Sequence, residues 1–189
     1  MPDLLLDRAS AYALLTEYTQ SESLLKHALT VEALMRAYAR KLGEDENRWG
    51  IVGLLHDFDY ERYPTPAEHP LQGAAILAER GYPADVIYAI KTHAAYLGLP
   101  RVSLLDKTLF AVDELAGLLT AAALVQPTKS ICDVKVASVK KKMKDKAFAK
   151  NVSRDDIIRG AAEIGIELDE HINNVIEAMK NDSRLNNSN

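Results

Sequence analysis

Cysteine is almost missing: the 189-residue chain has one, Cys132. That excludes a disulfide framework and an all-thiolate zinc site, and it fits a reducing, cytoplasmic setting. The lone thiol is expected as a small buried residue. An excess of positive charge is missing too. The chain has 23 Lys and Arg against 27 Asp and Glu, a net charge of −4, and a pI near 5.7. It therefore carries no electrostatic footprint for a nucleic-acid duplex. No apolar run approaches the roughly 20 residues of a membrane span. The opening M-P-D-L-L-L-D-R places acids around its apolar patch, unlike the basic-then-apolar order of a signal peptide. No membrane partner is expected. Neither a G-x-S-x-G turn nor a reactive-cysteine signature offers a side-chain nucleophile.

What remains reads as one all-α domain of ordinary size, 48% hydrophobic and 26% charged. Helical periodicity predicts a first helix over 9–19 and a second from the Ser21–Ser23 cap to about Leu42, ended by Gly43. Leu25, Leu29, Leu34, Tyr38 and Leu42 are its core candidates. A third helix, from about Asp45, carries Trp49, Val52, Leu54 and Leu55 into His56. Residues 58–68, with Pro64 and Pro66, form a loop. Further helices follow from Pro70 to Gly81, over 85–94, from a Ser103/Asp106 capping box to about Val125, over 153–164 and over 168–180. The apolar faces of the last two suit either the core or a homodimer. The domain divides into a core of about 20–125 and a helical extension of about 126–180, with 181–189 as a flexible tail.

The centre of the chain is L-L-H-D-F-D-Y, residues 54–60. Here His56 and Asp57, two metal-type ligands, end an apolar helix, where tandem polarity is hard to justify as packing. Adjacent helical residues diverge by about 100°, so the pair can share a metal only at a helix terminus, which the following loop supplies. His27, His69 and His93 fall on other predicted helices, an arrangement that can build a metal site in a helical core. Asp113 interrupts the apolar L-F-A-V-D-E-L-A-G-L-L. A carboxylate on such a face is costly unless it is ion-paired or metal-bound.

These residues resemble the HD-domain superfamily of metal-dependent phosphohydrolases, whose pattern is H…HD…D with two extra histidines in dinuclear members. His27, His56, Asp57 and Asp113 fit the four-ligand core, and His69 and His93 fit the extra positions. The surrounding text is similar as well: L-L-H-D-F-D, H-P-L-Q-G-A-A-I-L, A-I-K-T-H and L-D-K-T-L-F-A-V-D-E-L. The resemblance covers about 20–125, and extends more loosely, as a bacterial HDIG-type branch, into the lysine-rich segment that follows.

The resemblance implies one or two divalent transition ions (Mn, Fe, Co, Ni or Zn) with Asp57 as the bridge. His27, His56 and Asp113 would complete one site, and His69 and His93 the other. A water activated by the metals would then hydrolyse a mono- or diester of a small phosphorylated, nucleotide-like substrate. Asp59 suits orienting that water or accepting its proton, and equally suits an Asx-turn. Lys107 suits a substrate phosphate or a solvated helix face. The seven lysines of 135–150 read as a solvated face or as an attractor for anions at the cavity mouth. Lys129 and Lys135, nearest the ligand helix, rank first for substrate binding. Two other readings share the ligand set: a dinuclear-iron oxygenase of HD type, and a nucleotide-binding regulatory module with little turnover.

Overall fold

The computed structural model describes residues 7–186. The M-P-D-L-L-L patch and the last three residues lie outside them. Every regular element described is a helix: α1 (Arg8–Tyr18), α2 (Glu22–Leu42), α3 (Glu46–Leu55), α4 (Leu71–Glu79), α5 (Ala84–His93), α6 (Leu104–Leu124), α7 (Val136–Lys144), α8 (Arg154–Glu163), α9 (Leu168–Asn181) and α10 (Ser183–Asn186). Single 3-10 turns occur at Ala95–Leu97 and Ile131–Asp133. The fold is all-α, as the periodicity predicts. Two compact units divide it, residues 1–109 and 110–189, with the division inside α6.

In the first unit α2 and α3 pack most closely. Val31, Leu34 and Met35 of α2 and Ile51, Val52, Leu54 and Leu55 of α3 are all fully buried. Gly53 permits the crossing, because a Cβ there would lie 2.7 Å from the Val31 carbonyl oxygen. The junction between the helices follows from capping chemistry. Gly43 takes the left-handed conformation (φ 74°) that ends α2, and the Asp45 carboxylate accepts from the backbone N–H groups of Asn47 and Arg48 to start α3. Leu42 is a correction: it is 41% exposed, because the last turn of α2, with Arg40 and Lys41, runs out into solvent. Leu25 and Leu29 are half-buried.

A fully buried acid ties α1 to this pair. Glu32 accepts two bonds from the Arg8 guanidinium, at 2.6 and 2.8 Å, and one from Arg36 Nε at 2.9 Å. The start of α6 is the reciprocal capping box expected from Ser103 and Asp106. The Asp106 N–H donates to Ser103 Oγ at 3.1 Å, and Asp106 Oδ2 accepts from the Ser103 N–H at 3.0 Å.

In the second unit the last helices grip α6. Gly160 lets α8 approach Ala111, where a Cβ would lie 2.6 Å from Ala111 Cα. Ile172, Val175, Ile176 and Met179 of α9 are buried, and α9 packs on α7, α8 and the Ile131–Asp133 turn. The stripe is core of its own unit, so the expectation of a homodimer face finds no support. The lysine-rich segment, not foreseen as a helix, forms α7 around Val136, Val139 and Met143. Its last-turn lysines, Lys141, Lys142 and Lys144, suit the helix dipole. Cys132 is also a correction: it is exposed, because Ile131 and Val134 take the inward positions of its turn. Of the expected tail, residues 183–186 form a further turn of helix, and 187–189 lie outside the described residues.

Candidate metal centre

The His-Asp pair stands where α3 gives way to a run of turns. His56 caps the helix with helical angles (φ −58°, ψ −36°), after which the chain bends. The bend is pinned from below. Phe58 is fully buried with its ring edge-on to Tyr18 at 5.3 Å, and the buried Thr19 hydroxyl donates to the Phe58 carbonyl at 2.9 Å. This end position is what brings His56 and Asp57 to a common point.

Three histidines have their tautomers set by their neighbours. His56 Nδ1 lies 2.8 Å from the Gly53 carbonyl oxygen, and His93 Nδ1 meets the Ile90 carbonyl oxygen. His69 Nδ1 lies 2.8 Å from Asp59 Oδ1. Each partner only accepts, so each Nδ1 carries the proton, and Nε2 is left as the lone-pair nitrogen that binds metals. These Nε2 atoms point at one another. His69 and His93 are 3.3 Å apart, as are His56 and His27.

Asp57 divides its carboxylate between the two pairs. Oδ1 lies 3.2 Å from both His69 Nε2 and His93 Nε2. Oδ2 lies 3.4 Å from His56 Nε2 and 4.0 Å from His27 Nε2. The Asp57, His69 and His93 donor atoms all lie within 4.8 Å of one another. His56, His69 and His93 are buried, while the Asp57 and His27 side chains keep about a fifth of their surface open, at 22% and 23%. The cluster is therefore reached from the Asp57–His27 side.

Burial alone would raise the Asp57 carboxyl. The charge of His56 and hydrogen bonds from His56, His69 and His93 outweigh it and hold Asp57 well below the usual carboxylate range. Burial alone would likewise lower His69, but hydrogen bonds and charge from Asp57 and Asp59 carry it up to about 9.

Asp59 is also buried, with both oxygens in use: Oδ1 on His69 and Oδ2 accepting from the Gly73 N–H at 2.7 Å. Two tyrosines flank His69 that the sequence did not single out. Tyr60 packs edge-on to its ring at 5.2 Å, and the Tyr96 hydroxyl donates to its carbonyl at 2.6 Å. Their signal is weak, since each is an ordinary aromatic in a turn. Asp113 is half-buried on α6, in the part belonging to the second unit, and Lys107 is half-buried one and a half turns earlier. Lys129 and Lys135 are exposed on either side of the Ile131–Asp133 turn. His171 stands apart, fully buried, with Nε2 2.8 Å from the Ala111 carbonyl oxygen.

Among curated proteins, the chain is similar to ribonuclease Y of Oleidesulfovibrio alaskensis, 33% identical over 98 residues, which are 51% of this chain and 18% of the relative. Ribonuclease Y of Nitratidesulfovibrio vulgaris strain DP4 is 38% identical over 77 residues, 39% of this chain and 14% of that one. The Lawsonia intracellularis protein of the same name is 30% identical over 93 residues, 47% and 17% of the two chains. The chain thus spans less than a fifth of the length of these relatives. No solved structure matches it. A family model of the HD domain matches residues 24–118, half of the chain, and that span runs from before His27 to beyond Asp113. The chain belongs to the HD-domain superfamily of metal-dependent phosphohydrolases.

Proposed function

We propose that the chain hydrolyses a phosphate ester of a nucleotide or similar small molecule at a centre holding one or two divalent transition metals. One observation carries this reading. The His69 and His93 rings both turn Nδ1 toward acceptors, so their Nε2 atoms face each other at 3.3 Å beside Asp57, a donor set suited to a divalent metal. Four imidazoles with a carboxylate suit Mn, Fe, Co, Ni or Zn better than Ca. Asp57, with one oxygen toward each histidine pair, would bridge. His69 and His93 would hold the second metal. His27 and His56 would hold the first, joined by Asp113 on the strength of its place in the family order.

When bound, the metals supply Lewis acidity, which lowers the pKa of water at the site and offsets charge on the phosphoryl oxygens. The chain does the rest. Asp57 and the histidines fix where the reacting groups meet, and Lys107 contributes a cation for a substrate phosphate. Lys129 and Lys135 draw anionic substrate by charge. Asp59 acts from behind His69. A cytoplasmic setting belongs to the same proposal.

A second reading, RNA as the phosphodiester substrate, is favoured by the likeness to ribonuclease Y over 98 residues. Manganese-loaded protein should be assayed without oxygen on p-nitrophenyl phosphate, bis-p-nitrophenyl phosphate, nucleoside monophosphates, cyclic nucleotides and a single-stranded oligoribonucleotide. Hydrolysis abolished by chelation is the expected outcome, and the relative rates decide between the two readings. Full metal content with no turnover on any of these substrates would overturn both.

A further inference from the structure

Asp59 stands behind the metal centre, two residues beyond Asp57, and its role follows from the donors that reach it. Two protons point at its two oxygens: His69 Nδ1–H at 2.8 Å and the Gly73 N–H at 2.7 Å. The second donor belongs to the first turn of α4, where backbone N–H groups lack intrahelical acceptors. There Gln72 and Ala74 donate to the Glu68 and Pro70 carbonyls, while Gly73 reaches across to Asp59. The carboxylate thus caps a helix with one oxygen and holds a ligand ring with the other. It fits closely, since a Cβ at Gly73 would come within 2.7 Å of the Asp59 carboxyl carbon.

The other two defined rings use backbone carbonyls, Gly53 for His56 and Ile90 for His93. His69 instead turns Nδ1 to a carboxylate. A charge-assisted bond of this kind orients an imidazole and raises its basicity toward a metal. We infer that Asp59 is a positioning residue that locks His69 with Nε2 free, and so sets the metal affinity of the His69–His93 site without affecting the His27–His56 site. This inference rests on the metal reading of the cluster.

The isosteric Asp59→Asn change tests it sharply. Asparagine offers one acceptor oxygen and one NH2 donor to two protons that both need acceptors. The Gly73 N–H cannot move its proton, so it claims the oxygen. The NH2 then faces His69 Nδ1, which must become the acceptor, and the ring proton shifts to Nε2. The lone pair aimed at the metal is lost while size and shape are kept.

The experiment is a cobalt(II) titration of the full chain after chelation, for wild type, Asp59→Asn and His69→Ala, read by visible absorption and elemental analysis. The expected result is two sites in wild type. In Asp59→Asn the second should bind about 10- to 100-fold more weakly, approaching His69→Ala, with the first unchanged. Two undiminished sites in Asp59→Asn would overturn the inference. A wild type that takes up no cobalt would overturn the metal reading itself, which keeps the two failures distinct. A variant that does not fold is covered by a measurement needing no substitution, long-range nitrogen–proton NMR of histidine-labelled, zinc-loaded wild type. His69 should carry its proton on Nδ1, and a proton on Nε2 would overturn the inference.

Discussion

The Nε2 atoms of His69 and His93 face each other at 3.3 Å, although they come from segments 24 residues apart. Both rings turn Nδ1 toward other acceptors, which leaves the two Nε2 atoms and an Asp57 oxygen together as a donor set for a cation. Purified protein should accordingly carry about one to two transition metals per chain. Elemental analysis checks this directly. Finding none, even after incubation with Mn, Fe, Co, Ni and Zn, would remove the basis for the proposed chemistry.

Asp57 has a different place in that arrangement, since each of its oxygens serves a different histidine pair. A residue shared in this way cannot be lost from one site alone. Asp57→Ala should deplete both metals and lower phosphoester hydrolysis by about a thousandfold, roughly 4 kcal/mol of transition-state stabilisation. Metal content and turnover measured on one preparation test the coupling. Full metal content in this variant would show that the two pairs load without a shared carboxylate.

How much of this was legible in the sequence depends on the physical signal behind each residue. Gly43 and the Ser103/Asp106 box announced helix ends because capping is local chemistry, and both ends lie where expected. The His56-Asp57 pair stood out because tandem polar residues at the end of an apolar helix are hard to justify as packing, and it lies at the helix end as expected. Leu42 and Cys132 were misjudged because exposure depends on what a neighbouring element covers, which no local pattern states. Helix α7 was hidden by its charge: three apolar residues among lysines make a narrow stripe, and only Val139 is buried. Asp59 was singled out as a helper with its role open. Its bond to Gly73 depends on a close approach between two segments that spacing cannot reveal.

Glu32 offers a test of the scaffold beneath the site. Its buried carboxylate neutralises Arg8 and Arg36 and joins α1 to α2. Removing one partner from such a group strands charges that lose their hydrogen bonds. Glu32→Ala should cost about 3 kcal/mol, the low end of the range for buried pairs, because Arg8 and Arg36 keep access to water at 38% and 21% exposure. Urea denaturation measures it. A loss no larger than that of an exposed ion pair, below about 1 kcal/mol, would show that Glu32 is dispensable to the packing of α1.

His171 sets a structural histidine apart from the proposed metal ligands. It is fully buried and meets the Ala111 carbonyl oxygen through Nε2 at 2.8 Å. Burial pushes its pKa below the ordinary 6.5, and the Ala111 bond only partly offsets this. Above that ordinary value the ring is neutral both folded and unfolded, so its contribution to stability is fully present. As pH falls below it, the unfolded chain takes up the proton first, and stability drops toward the lower folded pKa by at most about 1.4 kcal/mol per pH unit. His171→Leu roughly keeps the volume, abolishes this slope and removes the side-chain donor to the Ala111 oxygen, at a cost of about 0.5–1.5 kcal/mol near neutral pH. Wild type should therefore be the more stable protein at about pH 8, with the difference narrowing toward about pH 5, while cobalt uptake is the same in both. Denaturation curves across that range decide the matter, and a difference that stays constant with pH would mean that His171 does not titrate on unfolding.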